Sequence, residues 1–181
     1  MKRFYITLFL IFNVCALTYL LSPTPTLKDI PNAVKSDLPG DTTQLKNVSA
    51  YFGNLTRTEV INFYKANYHG PFRIQLNHPP EKAKEIIRDT TQSYYLEEII
   101  LPFKESIFVN GYEWQNDVFT KPEKRYANKL LHNNIEYQTK ITIKVFPTSI
   151  AQRLITLFVL EAAIISIILI YKNLLFKKSR D

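Results

Sequence analysis

Glu161 is the residue whose position carries the most chemistry, because it interrupts the apolar run Leu154–Ile170. A carboxyl in the middle of a membrane-length segment costs on the order of 2.5–3.5 kcal/mol to insert, so such residues face other protein and find a polar partner. Asn13, in the middle of a second apolar run, Phe4–Leu21, offers one. With the two runs as antiparallel helices rising ~1.5 Å per residue, both residues fall at similar depth. The Asn13 amide can then hydrogen-bond the Glu161 carboxyl. Ala162 and Ser166 form a small-xxx-small pair beside it that permits close helix approach. Two outcomes stay open: this internal clasp, or a contact from Glu161 to a residue of another membrane protein or protomer. A proton or ion path is a lesser alternative, since two spans per chain line one only in an oligomer.

Elsewhere, residues able to do chemistry do not converge in sequence. His78-Pro79-Pro80-Glu81, with His69 and His132, could supply metal ligands, but no zinc-type spacing or His-Glu-x-x-His pattern occurs. Glu97 and Glu98 are adjacent; on a helix they would point about 100° apart and could not act on one atom. Ser106 has no nucleophile-elbow glycines, and four glycines in 181 residues leave no phosphate-cradling loop. No catalytic residue, cofactor or metal is expected. Lys121, Lys124, Arg125 and Lys129 form a basic cluster, interrupted by Glu123, that could meet anionic lipid or an envelope polymer, although a solvated loop is the commoner meaning. Tyr112 and Trp114 are read as the exposed aromatics of an outer binding surface.

The elements that hold these residues follow from the two apolar runs, each near the ~20 residues that cross a bilayer. The stretch between them suffices for one domain. Lys2 and Arg3 precede the first run, and Lys172, Lys177, Lys178 and Arg180 follow the second, so most of the +7 net charge lies in two short tails. By the positive-inside rule both termini are cytoplasmic and the central domain is extracytoplasmic. The basic pI is therefore topological and points to no nucleic acid. Val14-Cys15-Ala16 is a weak signal-peptide cleavage pattern, but the apolar run continues to Leu21, which favours an uncleaved anchor. Cys15 is the sole cysteine, so the outer domain has no disulfide. Sequons at Asn47 and Asn54 are short enough to arise by chance.

The division expected is a tail 1–3, a span 4–21, a Pro-rich stalk 22–43 outside the core, a domain 44–147, a span 151–172 and a basic tail 173–181. Within the domain, Lys46–Phe52 alternates as a strand. Thr56-Arg57-Thr58-Glu59 is a capping box opening a helix with Val60, Ile61, Tyr64 and Tyr68 on one stripe. Gly70-Pro71 stops it, and Phe72, Ile74 and Leu76 alternate as a second strand. Pro79-Pro80 starts a second helix, with Ala83, Ile86, Ile87, Thr90 and Tyr94 at helical spacing. Its continuation to Leu101 is expected, with a break near 91–93. Ile107–Trp114 reads as a hairpin turning at Asn110-Gly111. A polar connection follows, with a short helix around Tyr126–Leu131, and Ile135–Phe146 alternates as one long strand. The fold class is α+β: two transmembrane helices flanking a two-layer extracytoplasmic domain of order β-α-β-α-β-β-β.

Three runs, Leu76-Asn77-His78-Pro79-Pro80-Glu81, Ser93-Tyr94-Tyr95-Leu96-Glu97-Glu98 and Ser106-Ile107-Phe108-Val109-Asn110-Gly111, resemble uncharacterised two-span envelope membrane proteins of candidate-phylum bacteria. The resemblance covers roughly residues 45–115 and implies a bacterial envelope protein without supplying an activity or sites. The layout is also similar to polysaccharide chain-length regulators, without their long extended helices. Together these observations lead to the expectation of an accessory or structural subunit of a cell-envelope complex. Its partners would be the lipid bilayer and another membrane protein or a second copy, with an envelope polymer as a further candidate. A ligand-binding sensor is the alternative, and an envelope enzyme the third.

Overall fold

The computed structural model describes residues 2–39, 41, 45–86 and 95–178. Readings placed on Gly40, on residues 42–44 and 87–94 (Ile87, Thr90, Tyr94 and the break near 91–93 among them), and on the tail side chains from residue 174 onward lie outside the described residues. The chain forms two compact units, Thr24–Pro147 and the paired terminal segments Met1–Pro23 and Thr148–Asp181.

The terminal unit holds two helices, α1 (Lys2–Leu21) and α4 (Ile150–Lys178). Both are long and apolar enough to cross a membrane, and most of their large side chains, such as Phe12 and Ile164, are exposed. Exposed apolar surface all round a helix is what a lipid-facing segment requires.

The central unit is α+β. Strands β1 (Ala33–Lys35), β2 (Val48–Gly53), β3 (Ile74–His78), β4 (Tyr95–Leu101), β5 (Glu105–Glu113) and β8 (Thr139–Pro147) form one antiparallel sheet in the order β1-β2-β8-β5-β4-β3. Helix α2 (Arg57–Asn67) begins at the expected capping box: the Glu59 amide donates to Thr56 Oγ1, and the Thr56 amide donates to Glu59 Oε2 at 2.7 Å. Its stripe Val60, Ile61, Tyr64, with Tyr68 beyond it, packs on Ile99, Ile107, Val109, Ile141 and Ile143. Each such side chain, fully buried, contributes about 1.5–3 kcal/mol.

The structure departs from the sequence-based expectations in several places. Helix α3 (Pro80–Ile86) is short, and residues 95–101, expected as its continuation, are strand β4. Leu96 and Phe108 face away from Tyr95 and Ile107, and Ala83 and Ile86 of α3 cover them. The two helices thus lie on opposite faces of the sheet rather than in a single second layer. Asn110-Gly111 is no turn. Strand β5 runs straight through it, and Gly111 lies opposite Tyr95, whose ring fills the space where a Cβ would stand, 2.1 Å from Cε1. The β4–β5 turn falls instead at 102–104, where Phe103 takes φ 61°.

The Pro-rich segment is not wholly outside the core. It supplies edge strand β1, and Ile30 is buried among Tyr51, Tyr64 and their neighbours. The expected single strand from residue 135 breaks at Gln138, whose amide donates to Asn54 Oδ1. Its first part, β7 (Ile135–Tyr137), pairs with β6 (Leu130–His132) in a separate hairpin. Residues 122–128 and 114–116 form 3₁₀ turns, so the expected short helix near Tyr126–Leu131 lies earlier and gives way to β6. Strand β3 is an edge strand, and the alternating Ile74 and Leu76 are exposed rather than core.

Candidate functional site

Within the terminal unit, the polar residues of the two helices are placed as follows. The Asn13 side-chain amide donates to the Phe9 carbonyl one turn back at 3.1 Å, and Ser166 Oγ donates to the Ala162 carbonyl at 2.7 Å. Both polar groups are satisfied inside their own helices, as is usual for short polar side chains in apolar helices. Glu161 differs: its Oε1 is shielded from solvent and has no hydrogen-bond partner among the described residues. The Asn13–Glu161 clasp is therefore not formed in this structure.

A different residue links the helices. Arg153 is buried, and its guanidinium Nη1 donates to the Leu20 carbonyl at 3.1 Å, while Nε and Nη2 donate to Thr148. Leu20 lies in the last turn of α1, where carbonyls lack intrahelical partners, and a cation there also meets the negative helix end. Arg153 stands just before the apolar run Leu154–Ile170. The signal that could have found it is its place in the first turn of a helix that follows a helix end needing donors.

In the central unit, the sheet has a distinct end where β2, β5 and the start of β8 meet the N-terminus of α2. A recess of about 190 Å³ lies there, lined by Leu55, Thr56, Glu113, Gln115, Asn116, Gln138 and Thr139. Asn116 Nδ2 donates to Glu113 Oε2 at 2.6 Å, and Thr139 Oγ1 donates to the Leu55 carbonyl. The lining is amide, hydroxyl and carboxylate, which suits a hydrogen-bonding group. Its volume is below the roughly 300–1,000 Å³ of small-molecule sites, so it accommodates a side chain or a very small polar molecule.

Beside it, Arg57 forms an ion pair with buried Glu97, and Gln75 Nε2 donates to the other Glu97 oxygen at 2.8 Å. The Arg57 guanidinium also lies 5.5 Å from the centroid of the Tyr95 ring. Burial, with Glu113 nearby, pushes the Tyr95 hydroxyl well above the ordinary tyrosine range. Neighbouring Glu98 faces the other side of the sheet and meets His78 Nε2 at 2.9 Å. Adjacent strand residues point to opposite faces, so the two carboxylates never share a site.

The comparisons add nothing to this geometry. No family model, curated protein or solved structure matches the chain.

The residues singled out for an outer surface sit in the loop 112–129. Trp114 is buried, not exposed. Its ring meets Tyr126 edge-on at 6.2 Å, and its indole N–H has no hydrogen-bond partner among the described residues. Tyr112 is half-buried; burial, reinforced by Asp117, pushes its hydroxyl up to about 12. Asp117, itself buried, holds the loop by accepting from the Phe119 amide at 2.8 Å and from Asn128 Nδ2 at 3.1 Å. Arg125 donates to the Thr120 and Gln115 carbonyls, so it is a brace within the loop. Lys121 and Lys124 are exposed. The exposed aromatics of this region are Tyr126, with the Lys129 ammonium 3.9 Å from its ring centroid, and Phe119, with the Lys84 ammonium 3.6 Å from its ring centroid. The three histidines are dispersed: His69 is next to the Ala66 carbonyl, His78 pairs with Glu98, and His132 stacks on Phe52 at 4.6 Å. Among the described residues, no group of three or more His, Cys, Asp or Glu converges as a metal site.

Proposed function

We propose that the protein is a membrane-anchored accessory subunit of a cell-envelope complex, with α1 and α4 as its spans and the central α+β domain as its extracytoplasmic contact module. The observation that carries this reading is Glu161, whose Oε1 is without a hydrogen-bond partner among the described residues, in an apolar helix, while Asn13 is satisfied elsewhere. A carboxyl in that position is costly unless another polypeptide supplies a donor. The small size of the polar recess supports a protein contact over a metabolite site. Partners are the lipid bilayer and another membrane protein or a second copy of this chain.

The test is affinity capture of the full-length protein after in-membrane crosslinking, wild type beside Glu161→Leu and Glu161→Gln. An interhelical hydrogen bond in a bilayer is worth about 1–2 kcal/mol, so capture of the partner falls about ten-fold in Glu161→Leu. Glu161→Gln, which keeps one acceptor and adds a donor, retains most of it. Equal capture by all three forms would remove Glu161 from the contact.

A sensor is the second reading, favoured by one observation: β8 ends at Pro147 and α4 begins at Ile150, so a change in the sheet reaches the span through two residues. Saturable binding of a small polar ligand by the full chain, abolished by Glu113→Ala in the recess, would support it over the subunit reading.

A further inference from the structure

The sheet's other end bears an apolar rim that the proposed function does not use. Strand register places its members together. Ile74 opens β3 opposite Ile100, Ser106 of β5 lies opposite Phe146 of β8, and Glu105 lies opposite Pro147. Phe72 precedes β3 by one residue, and Phe103 is in the turn between Leu101 and Glu105. Phe72 is 75% exposed, Phe103 54%, Ile74 47% and Phe146 41%. Isolated exposed apolar residues are ordinary; four at one end of one sheet are a patch that marks an interaction surface. Phe72 and Phe103 also take φ of 62° and 61°. That left-handed conformation is unfavourable for a side chain of this size, and two loop tips here adopt it with an exposed ring.

The chain itself indicates what this rim meets. Pro147 is the last residue of β8, at this end, and helix α4 begins at Ile150. Three residue steps span at most about 10 Å. If α4 crosses the bilayer, as the proposed function requires, this end of the sheet is tethered within about 10 Å of the membrane surface. The end bearing the recess and the basic loop is the one more distant along β8. Aromatic rings with an adjacent cation suit the headgroup region, and Arg73, exposed beside Phe72, supplies that cation. We propose that Phe72, Ile74, Phe103 and Phe146 form a membrane-interface rim that rests in the headgroup layer of the lipid bilayer.

The experiment reads depth in reconstituted full-length protein. Trp114, the only tryptophan, is replaced by Phe, and single tryptophans are introduced as Phe103→Trp, Phe72→Trp, Val118→Trp and Ile164→Trp. Phosphatidylcholine vesicles carrying lipids brominated near the headgroup or deep in the acyl chain then quench each probe. At positions 103 and 72 the shallow bromolipid is expected to quench at least two-fold more strongly than the deep one. At position 118, on the recess-end loop, neither quenches. At position 164 the deep bromolipid quenches, confirming the span independently.

Quenching at 164 without quenching at 103 and 72 overturns the rim while leaving the span intact. Protection of 103 and 72 from both bromolipids and aqueous acrylamide overturns it in favour of a protein surface. Absence of quenching at 164 overturns the spanning reading and the rim together. The two rim positions are both exposed, so either variant alone suffices should the other fail to fold.

Discussion

At the residue scale, the Tyr95–Gly111 pair shows how one side chain sets the identity of its neighbour. The Tyr95 ring is buried in the core and lies across Gly111 on the facing strand, leaving no space for a Cβ. Because the ring cannot swing away without repacking, Gly111→Ala is expected to cost about 1–3 kcal/mol. Urea unfolding followed by Trp114 fluorescence, which reports only the central domain, measures it. Combining it with Tyr95→Leu should recover at least about 1 kcal/mol relative to the summed single effects, since the overlap then disappears. Strict additivity would mean that the ring does not occupy that space. Asp117 permits a pH argument. Burial pushes its carboxyl up, but the hydrogen bonds from Thr120, the Phe119 amide, Asn128 and Tyr112 outweigh this, so it lies below the ordinary value of 3.8. A depressed folded value stabilises above the unfolded one, and that contribution is lost as pH falls below about 3.8 toward the folded value. Asp117→Asn should therefore be destabilised by about 1–2 kcal/mol at neutral pH and should show a flatter acid limb than wild type. A parallel acid limb in both proteins would exclude the loop carboxylate as its source.

At the element scale, α2 has the most local control. Its cap satisfies two early amides through side chains three residues apart, so Thr56→Ala should cost about 1 kcal/mol, while Thr58→Ala, exposed at the second helical position, should change little. The urea midpoint of both variants checks the contrast. This helix was legible in the sequence because cap, apolar stripe and Gly-Pro stop all agree over one short window. Strand β4 was not. Tyr95-Leu96-Glu97-Glu98-Ile99-Ile100-Leu101 is nearly continuous in apolar character because it lies inside a sheet covered on both faces, and such a run has no period that separates strand from helix. Glu97 and Glu98 sharpened the error. Each finds a partner from a different face (Arg57 with Gln75, and His78), a fact decided by strand neighbours distant in sequence. Asn110-Gly111 misled for a related reason: the pair has the chemistry of a turn, while its glycine answers to a ring fifteen or so residues upstream. Of the site residues, the span positions were readable from hydropathy alone. The recess was not, since Leu55, Glu113 and Gln138 meet only through the sheet.

At the scale of the whole molecule, the distribution of charge makes the strongest remaining claim. The two helices are apolar almost throughout and, Arg153 apart, the basic residues outside the central domain lie toward the chain ends: Lys2 and Arg3 at the start of α1, and Lys172, Lys177, Lys178 and Arg180 toward and beyond the end of α4. Translocating short basic tails is disfavoured, so a two-span chain with this bias keeps both tails inside and exports what lies between. Because Cys15 is the only cysteine, replacing it with alanine yields a background for single-cysteine topology mapping. In intact cells a membrane-impermeant maleimide should label Lys124→Cys, on an exposed loop position, at full extent. Ser179→Cys should react only after the membrane is permeabilised. The reverse pattern would place the domain in the cytoplasm and would move the search for its partners there. Labelling of both sites in intact cells would mean that α4 does not cross and that α1 alone anchors the chain. Glu161 would then lie outside any span, and the cost that calls for a donor from another polypeptide would no longer apply.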